Sequence, residues 1–135
     1  MVPGRSEVWA IDLSKSQKPT HRHVTNIPEA GELNDMVVLN SPSSVTDILV
    51  ADSTFGRIWK VSIETGAHSV WLDRPEMKHP LPYPERWPFG INGLRYGNNG
   101  YLYFSNTNIR NIWRVKFRLD GSADNVEHVH SEIEA

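Results

Sequence analysis

The chain contains no cysteine. That excludes disulfides, thiolate metal centres and cysteine nucleophiles, and leaves the compartment undecided between secreted and cytoplasmic. No apolar run approaches the roughly 18 residues of a membrane span. Neither sign of charge dominates: 14 Lys+Arg stand against 16 Asp+Glu, a formal net charge of −2. Such a balance carries no electrostatic footprint for nucleic acid or an anionic membrane surface. The opening Met1-Val2-Pro3-Gly4-Arg5-Ser6 lacks the apolar centre of a signal peptide. Without a Gly-x-Ser-x-Gly elbow, a phosphate-binding glycine loop or a paired-acid signature, a hydrolytic triad is not expected. No stretch holds a 3.6-residue apolar period long enough for a helix.

What the chain does have is a repeat. Val8-Trp9-Ala10, Ile58-Trp59-Lys60 and Ile112-Trp113-Arg114 recur about 50 residues apart, the length of one four-stranded propeller blade. The later two copies align further. Ile48-Leu49-Val50-Ala51-Asp52-Ser53 with Gly56-Arg57-Ile58-Trp59-Lys60-Val61 matches Leu102-Tyr103-Phe104-Ser105-Asn106-Thr107 with Arg110-Asn111-Ile112-Trp113-Arg114-Val115. Upstream, Leu33-Asn34-Asp35-Met36 matches Ile91-Asn92-Gly93-Leu94. The runs are short, β-branched or aromatic, and bounded by Gly, Asn, Asp or Ser, as strands are.

The expected fold is therefore all-β: a partial β-propeller of about two and a half four-stranded antiparallel blades, in one domain. Residues 1–30 read as a half blade, with strands at Glu7–Asp12 and Arg22–Thr25. Residues 31–73 read as a blade with strands Leu33–Leu39, Thr46–Ala51, Arg57–Ser62 and Ala67–Leu72. Residues 91–135 read as another, with strands Ile91–Tyr96, Tyr101–Ser105, Asn111–Phe117 and Asn125–His130. Between them, residues 74–90 hold Pro75, Pro80, Pro82, Pro84 and Pro88 with Tyr83 and Trp87, which suits a stiff extended loop. In a propeller this connection crosses the mouth of the central channel, so its aromatics form either a lid or a self-packed insertion. Too few strands are present to close a ring, and open sheet edges favour self-association.

Asn34 and Asn92 occupy equivalent positions at the starts of the two innermost strands. Their amide oxygens suit a hard cation such as Ca²⁺, or else tie local turns. Asp52 and Asn106 sit at matching strand ends, as turn caps or as polar contacts at the channel mouth. His21-x-His23 and His128-x-His130 have a zinc-compatible spacing but no third ligand, so solvated outer strands are the expectation. Trp9, Trp59 and Trp113 are expected to pack between blades.

Leu33-Asn34-Asp35, Ala51-Asp52-Ser53 with Gly56-Arg57-Ile58-Trp59, and Gly90-Ile91-Asn92-Gly93-Leu94 followed by Gly100-Tyr101-Leu102-Tyr103-Phe104-Ser105-Asn106 resemble the gluconolactonase/regucalcin-like six-bladed β-propellers. The closest likeness is to their fungal secondary-metabolism branch, which includes hetero-Diels–Alderases, and it covers about residues 31–117. In the metal-dependent lactonases of that superfamily, an Asn from each of two successive blades, a later Asp and an early Glu surround a divalent cation. Asn34 and Asn92 match the two Asn ligands. No Glu-Gly-Pro run precedes them, and the Asp would fall after Ala135. The resemblance thus implies Ca²⁺ or another divalent cation in a complete propeller, and weak or absent binding here.

For the pericyclic branch, the resemblance implies a channel that holds an enone or quinone methide beside an alkene. Orientation supplies roughly 7–11 kcal/mol in the best intramolecular cases. Tyr83, Trp87 and Phe89 are the expected wall residues. A small-molecule enzyme of this cycloaddition type is the leading expectation, with the partial copy inactive by itself. A metal-dependent lactone hydrolase is the rival, and a non-catalytic binding module or remnant the third reading.

Overall fold

The computed structural model describes residues 5–14, 17–39, 46–80 and 89–131. β1 (Glu7–Asp12) pairs with β2 (Thr20–Asn26) as a two-stranded sheet. β3 (Leu33–Leu39), β4 (Asp47–Asp52), β5 (Arg57–Ser62) and β6 (His68–Asp73) follow one another in a second sheet. β7 (Ile91–Tyr96), β8 (Tyr101–Asn106), β9 (Asn111–Phe117) and β10 (Ala123–Ser131) form a third. Every pairing is antiparallel. Two whole blades and one half are present, the arrangement of a partial propeller.

The stacking of the sheets is written in β4. Its run Ile48-Leu49-Val50-Ala51 is apolar at every position because both faces are covered. Ile48 and Val50 join Val8, Ile27, Ala30, Trp59 and Val61 in one buried cluster; Leu49 and Ala51 join Ile58, Leu72, Met77, Ile91, Leu94, Leu102, Phe104 and Val115 in the other. Since successive side chains of a strand point to opposite faces, the middle sheet lies between the other two. The repeat is also exact in register: Trp59 faces Val50 across the ladder, and Trp113 faces Phe104.

Each repeat tryptophan carries a histidine from the outer strand against its ring. Trp9 meets His23 at 5.1 Å between centroids, Trp59 meets His68 at 5.9 Å, and Trp113 meets His128 at 4.7 Å, all near edge-to-face. Trp59 and Trp113 pack toward the preceding sheet, as expected of inter-blade residues. Trp9 differs. It is 50% exposed, because no described sheet lies beside its face of β1.

Some boundaries differ from expectation. β2 and β10 are longer than Arg22–Thr25 and Asn125–His130. Both are polar outer strands whose extent follows the strand they pair with, not their own composition. Within the proline-rich connection, Pro75–Met77 forms a 3₁₀ turn, with Pro75 at a helix start where its missing N–H costs nothing. Tyr83 and Trp87, with Pro82, Pro84 and Pro88, lie outside the described residues.

Candidate functional site

The two inner strands, β3 and β7, run beside each other, and each is broken at the same place. The pairing of β3 with β4 shifts between Leu33 and Met36; that of β7 with β8 shifts between Ile91 and Leu94. Asn34-Asp35 and Asn92-Gly93 occupy these bulges. A bulge leaves residues unpaired and re-aims their side chains, and such irregularities concentrate near functional sites.

The bulges bring Asn34 and Asn92 together across two blades. Asn34 Nδ2 donates to Asn92 Oδ1, and Asn92 Nδ2 donates to Thr107 Oγ1 at 2.9 Å. Asp35 fastens the strands just below. Its Oδ2 accepts from the Leu94 backbone N–H at 2.8 Å and from Arg95 Nη1 at 2.9 Å. Above the asparagines is a cavity of about 550 Å³ lined by Asn34, Phe89, Asn92, Thr107, Asn108 and Arg110. That size is ordinary for a small-molecule site.

The β8–β9 turn that forms one wall is set by Asn106, which is fully buried. Its Oδ1 accepts from the Asn108 N–H at 3.2 Å. Its Nδ2 donates to the carbonyls of Glu76 and Lys78 at 2.9 and 2.8 Å. Asp52, its counterpart in the preceding blade, is buried too, but it is surrounded by donors. Asp52 Oδ1 accepts from the Phe55 N–H at 3.1 Å; Oδ2 accepts from the Gly31 N–H, Arg57 Nε and Trp59 Nε1, each at 3.2 Å. A carboxylate fits where every neighbour donates, and an amide fits where two neighbours are carbonyls. Both side chains hold loops; neither lines the cavity.

Behind the cavity, Gly90 links the blades. Its N–H donates to the Ser53 carbonyl at 2.9 Å, and its own carbonyl accepts from the Thr107 N–H at 3.2 Å. A Cβ here would lie 2.1 Å from the Met77 oxygen, so only glycine permits this approach.

Of the seven residues expected to form a site, Asn34, Asn92 and Phe89 come together in the cavity. Asp52 and Asn106 support its surroundings, and Tyr83 and Trp87 lie outside the described residues. Thr107, Asn108 and Arg110 are additions. The repeat alignment held one signal for them: Arg110 stands where the earlier blade has Gly56.

Among the described lining residues there is no carboxylate, imidazole or thiol. A divalent cation here would meet two neutral amides, one of them already accepting a hydrogen bond, with a guanidinium on the same wall. Cation sites ordinarily include carboxylates to balance the charge. The described donor set does not by itself fit a divalent cation.

No protein-family model matches the chain. A curated protein of the fungus Sarocladium schorii, named "Putative hetero-Diels-Alderase asR5", is 26% identical over 121 residues, covering 78% of this chain and 29% of that protein. The chain thus spans less than a third of the length of the relative it matches.

Proposed function

We propose that this chain forms part of the channel of a small-molecule enzyme of fungal secondary metabolism, one that holds two unsaturated groups together for a hetero-Diels–Alder-type cycloaddition. The observation that carries the reading is the chemistry of the cavity wall. It offers an aromatic ring, amides, a hydroxyl and a guanidinium, and no described general base that would activate that hydroxyl or a water as a nucleophile. A cycloaddition asks for no more than that. One C–C and one C–O bond form, nothing leaves, and no proton has to move; the protein contributes orientation and polarisation of the carbonyl oxygen. The likeness to the Sarocladium protein supports the same reaction class.

The rival, divalent-metal-dependent lactone hydrolysis, draws its support from the meeting of Asn34 with Asn92. It lacks a described carboxylate to complete the metal set and a base to deliver water.

One pair of assays separates the two. Chroman, the bicyclic dihydropyran skeleton that such a cycloaddition builds, is titrated against the protein calorimetrically, and D-glucono-1,5-lactone is offered with and without Ca²⁺. Saturable chroman binding that weakens about tenfold or more in Asn92→Ala, with no lactone hydrolysis, is expected. Calcium-dependent hydrolysis lost in Asn34→Ala would replace this reading with the lactonase. Absence of chroman binding would remove the cycloaddition site from this chain.

A further inference from the structure

Gly56 and Arg110 hold the same place in the β4–β5 and β8–β9 turns, and both have left-handed backbone, with φ of 63° and 52°. Arg110 is the one non-glycine residue with positive φ among the described residues. That conformation costs a side-chain-bearing residue free energy that glycine avoids, and such outliers concentrate at ligand-binding positions. The surroundings of the two turns also differ. At Gly56 the Met77 carbonyl closes over the turn, 2.5 Å from where a Cβ would stand. At Arg110 the same position opens on the cavity with Asn34, Asn92 and Phe89.

Among the described residues no carboxylate pairs with this guanidinium, whereas Arg57, Lys60, Lys78, Arg95, Arg114 and Arg118 each pair with an Asp or Glu. Next to it, Thr107 Oγ1 accepts from Asn92, which leaves the hydroxyl proton free to donate into the cavity. Phe89 supplies an apolar wall.

We infer that Arg110 is the oxygen-recognising residue of this cavity, and that its guest is a flat, largely apolar molecule bearing a carboxylate or an enolised dicarbonyl. The planar guanidinium fork matches two oxygens held side by side, and the Thr107 hydroxyl reaches a further lone pair. The flat skeleton lies against Phe89. This inference rests on the cavity being the small-molecule site proposed above, and not on any particular reaction there.

The test uses the full chain with benzoate and benzamide, which share a shape and differ in charge. Binding is followed by amide chemical shifts at low ionic strength, where charge recognition is least screened. Wild type is expected to bind benzoate saturably and about tenfold or more tighter than benzamide. Arg110→Gly, which places at this turn the residue found at position 56, is expected to abolish that preference while melting no lower than wild type. Equal binding of the two probes by wild type, unchanged preference in Arg110→Gly, or no saturable benzoate binding would each overturn the inference. Chroman binding without a benzoate preference would sink the role of Arg110 and leave the cycloaddition reading standing; benzoate selectivity through Arg110 without chroman binding would keep the role of Arg110 and sink the cycloaddition reading.

Discussion

Asp52 and Asn106 show what one atom does at a repeated position. Asp52 Oδ2 accepts from Trp59 Nε1. Asn106 turns its amide nitrogen to two carbonyls instead, and the buried indole N–H of Trp113 has no acceptor among the described residues. The two tryptophans are equivalent in sequence and unequal in energy. A double-mutant cycle between Trp59→Phe and Asp52→Asn is therefore expected to show coupling of about 1 kcal/mol in denaturant unfolding. The matching cycle between Trp113→Phe and Asn106→Ala is expected near zero. Equal couplings would contradict the assignment. Arg57 adds to the difference: its guanidinium sits over the Trp59 and Phe55 rings at 4.7 and 5.1 Å, closing the Asp52 side of the turn.

Among the elements, hairpins and bulges carry the fold to the site. The β9–β10 hairpin turns at Asp120, whose carboxyl is held below its ordinary pKa by the Ser122 hydroxyl and then by the Ser122 N–H. Asp124 is lowered as well, by the Asn125 N–H and then by Arg118. A depressed folded pKa adds stability that is present above the unfolded value and lost as the pH falls through the folded one. Hydrogen exchange in residues 118–123 is therefore expected to lose protection as the pH drops below about 4. Asp120→Ala should reduce that acid sensitivity, and an unaltered profile in the variant would assign the protection elsewhere.

Legibility also divided by element. β3, β5, β7 and β9 begin and end where their patterns say, because Asn, Gly, Arg and Ser punctuate apolar runs. The polar outer strands β2 and β10 carry no such signal. Asn34 and Asn92 were legible as a pair from the repeat, whereas their meeting depends on two bulges that no composition announces. Arg110 went unread because repeat reasoning rewards matches, and this residue matters as a mismatch.

For the whole molecule, the order of the sheets decides which faces are covered. Trp9 and Ile11 on one face of β1, with Leu13 just beyond its end, are 50%, 66% and 71% exposed. An apolar stripe of this kind marks an interaction surface. A second copy is the occupant expected here, since the repeat pairs each tryptophan-bearing face with the sheet of another blade. Sedimentation should shift to larger species with rising concentration, and Ile11→Lys should return it to monomer. A wild-type chain that stays monomeric throughout would refute this.

The equivalent asparagines of two successive blades meet beside one cavity, and the proposed site stands on that meeting. A chain without native cysteine lends itself to a direct test. Asn34→Cys and Asn92→Cys are combined and treated with dibromobimane, a short reagent that fluoresces when it bridges two thiols. The double variant should become fluorescent and neither single variant should. A double variant that stays dark, while monobromobimane labels both thiols, would separate the two inner strands and take the cavity with them.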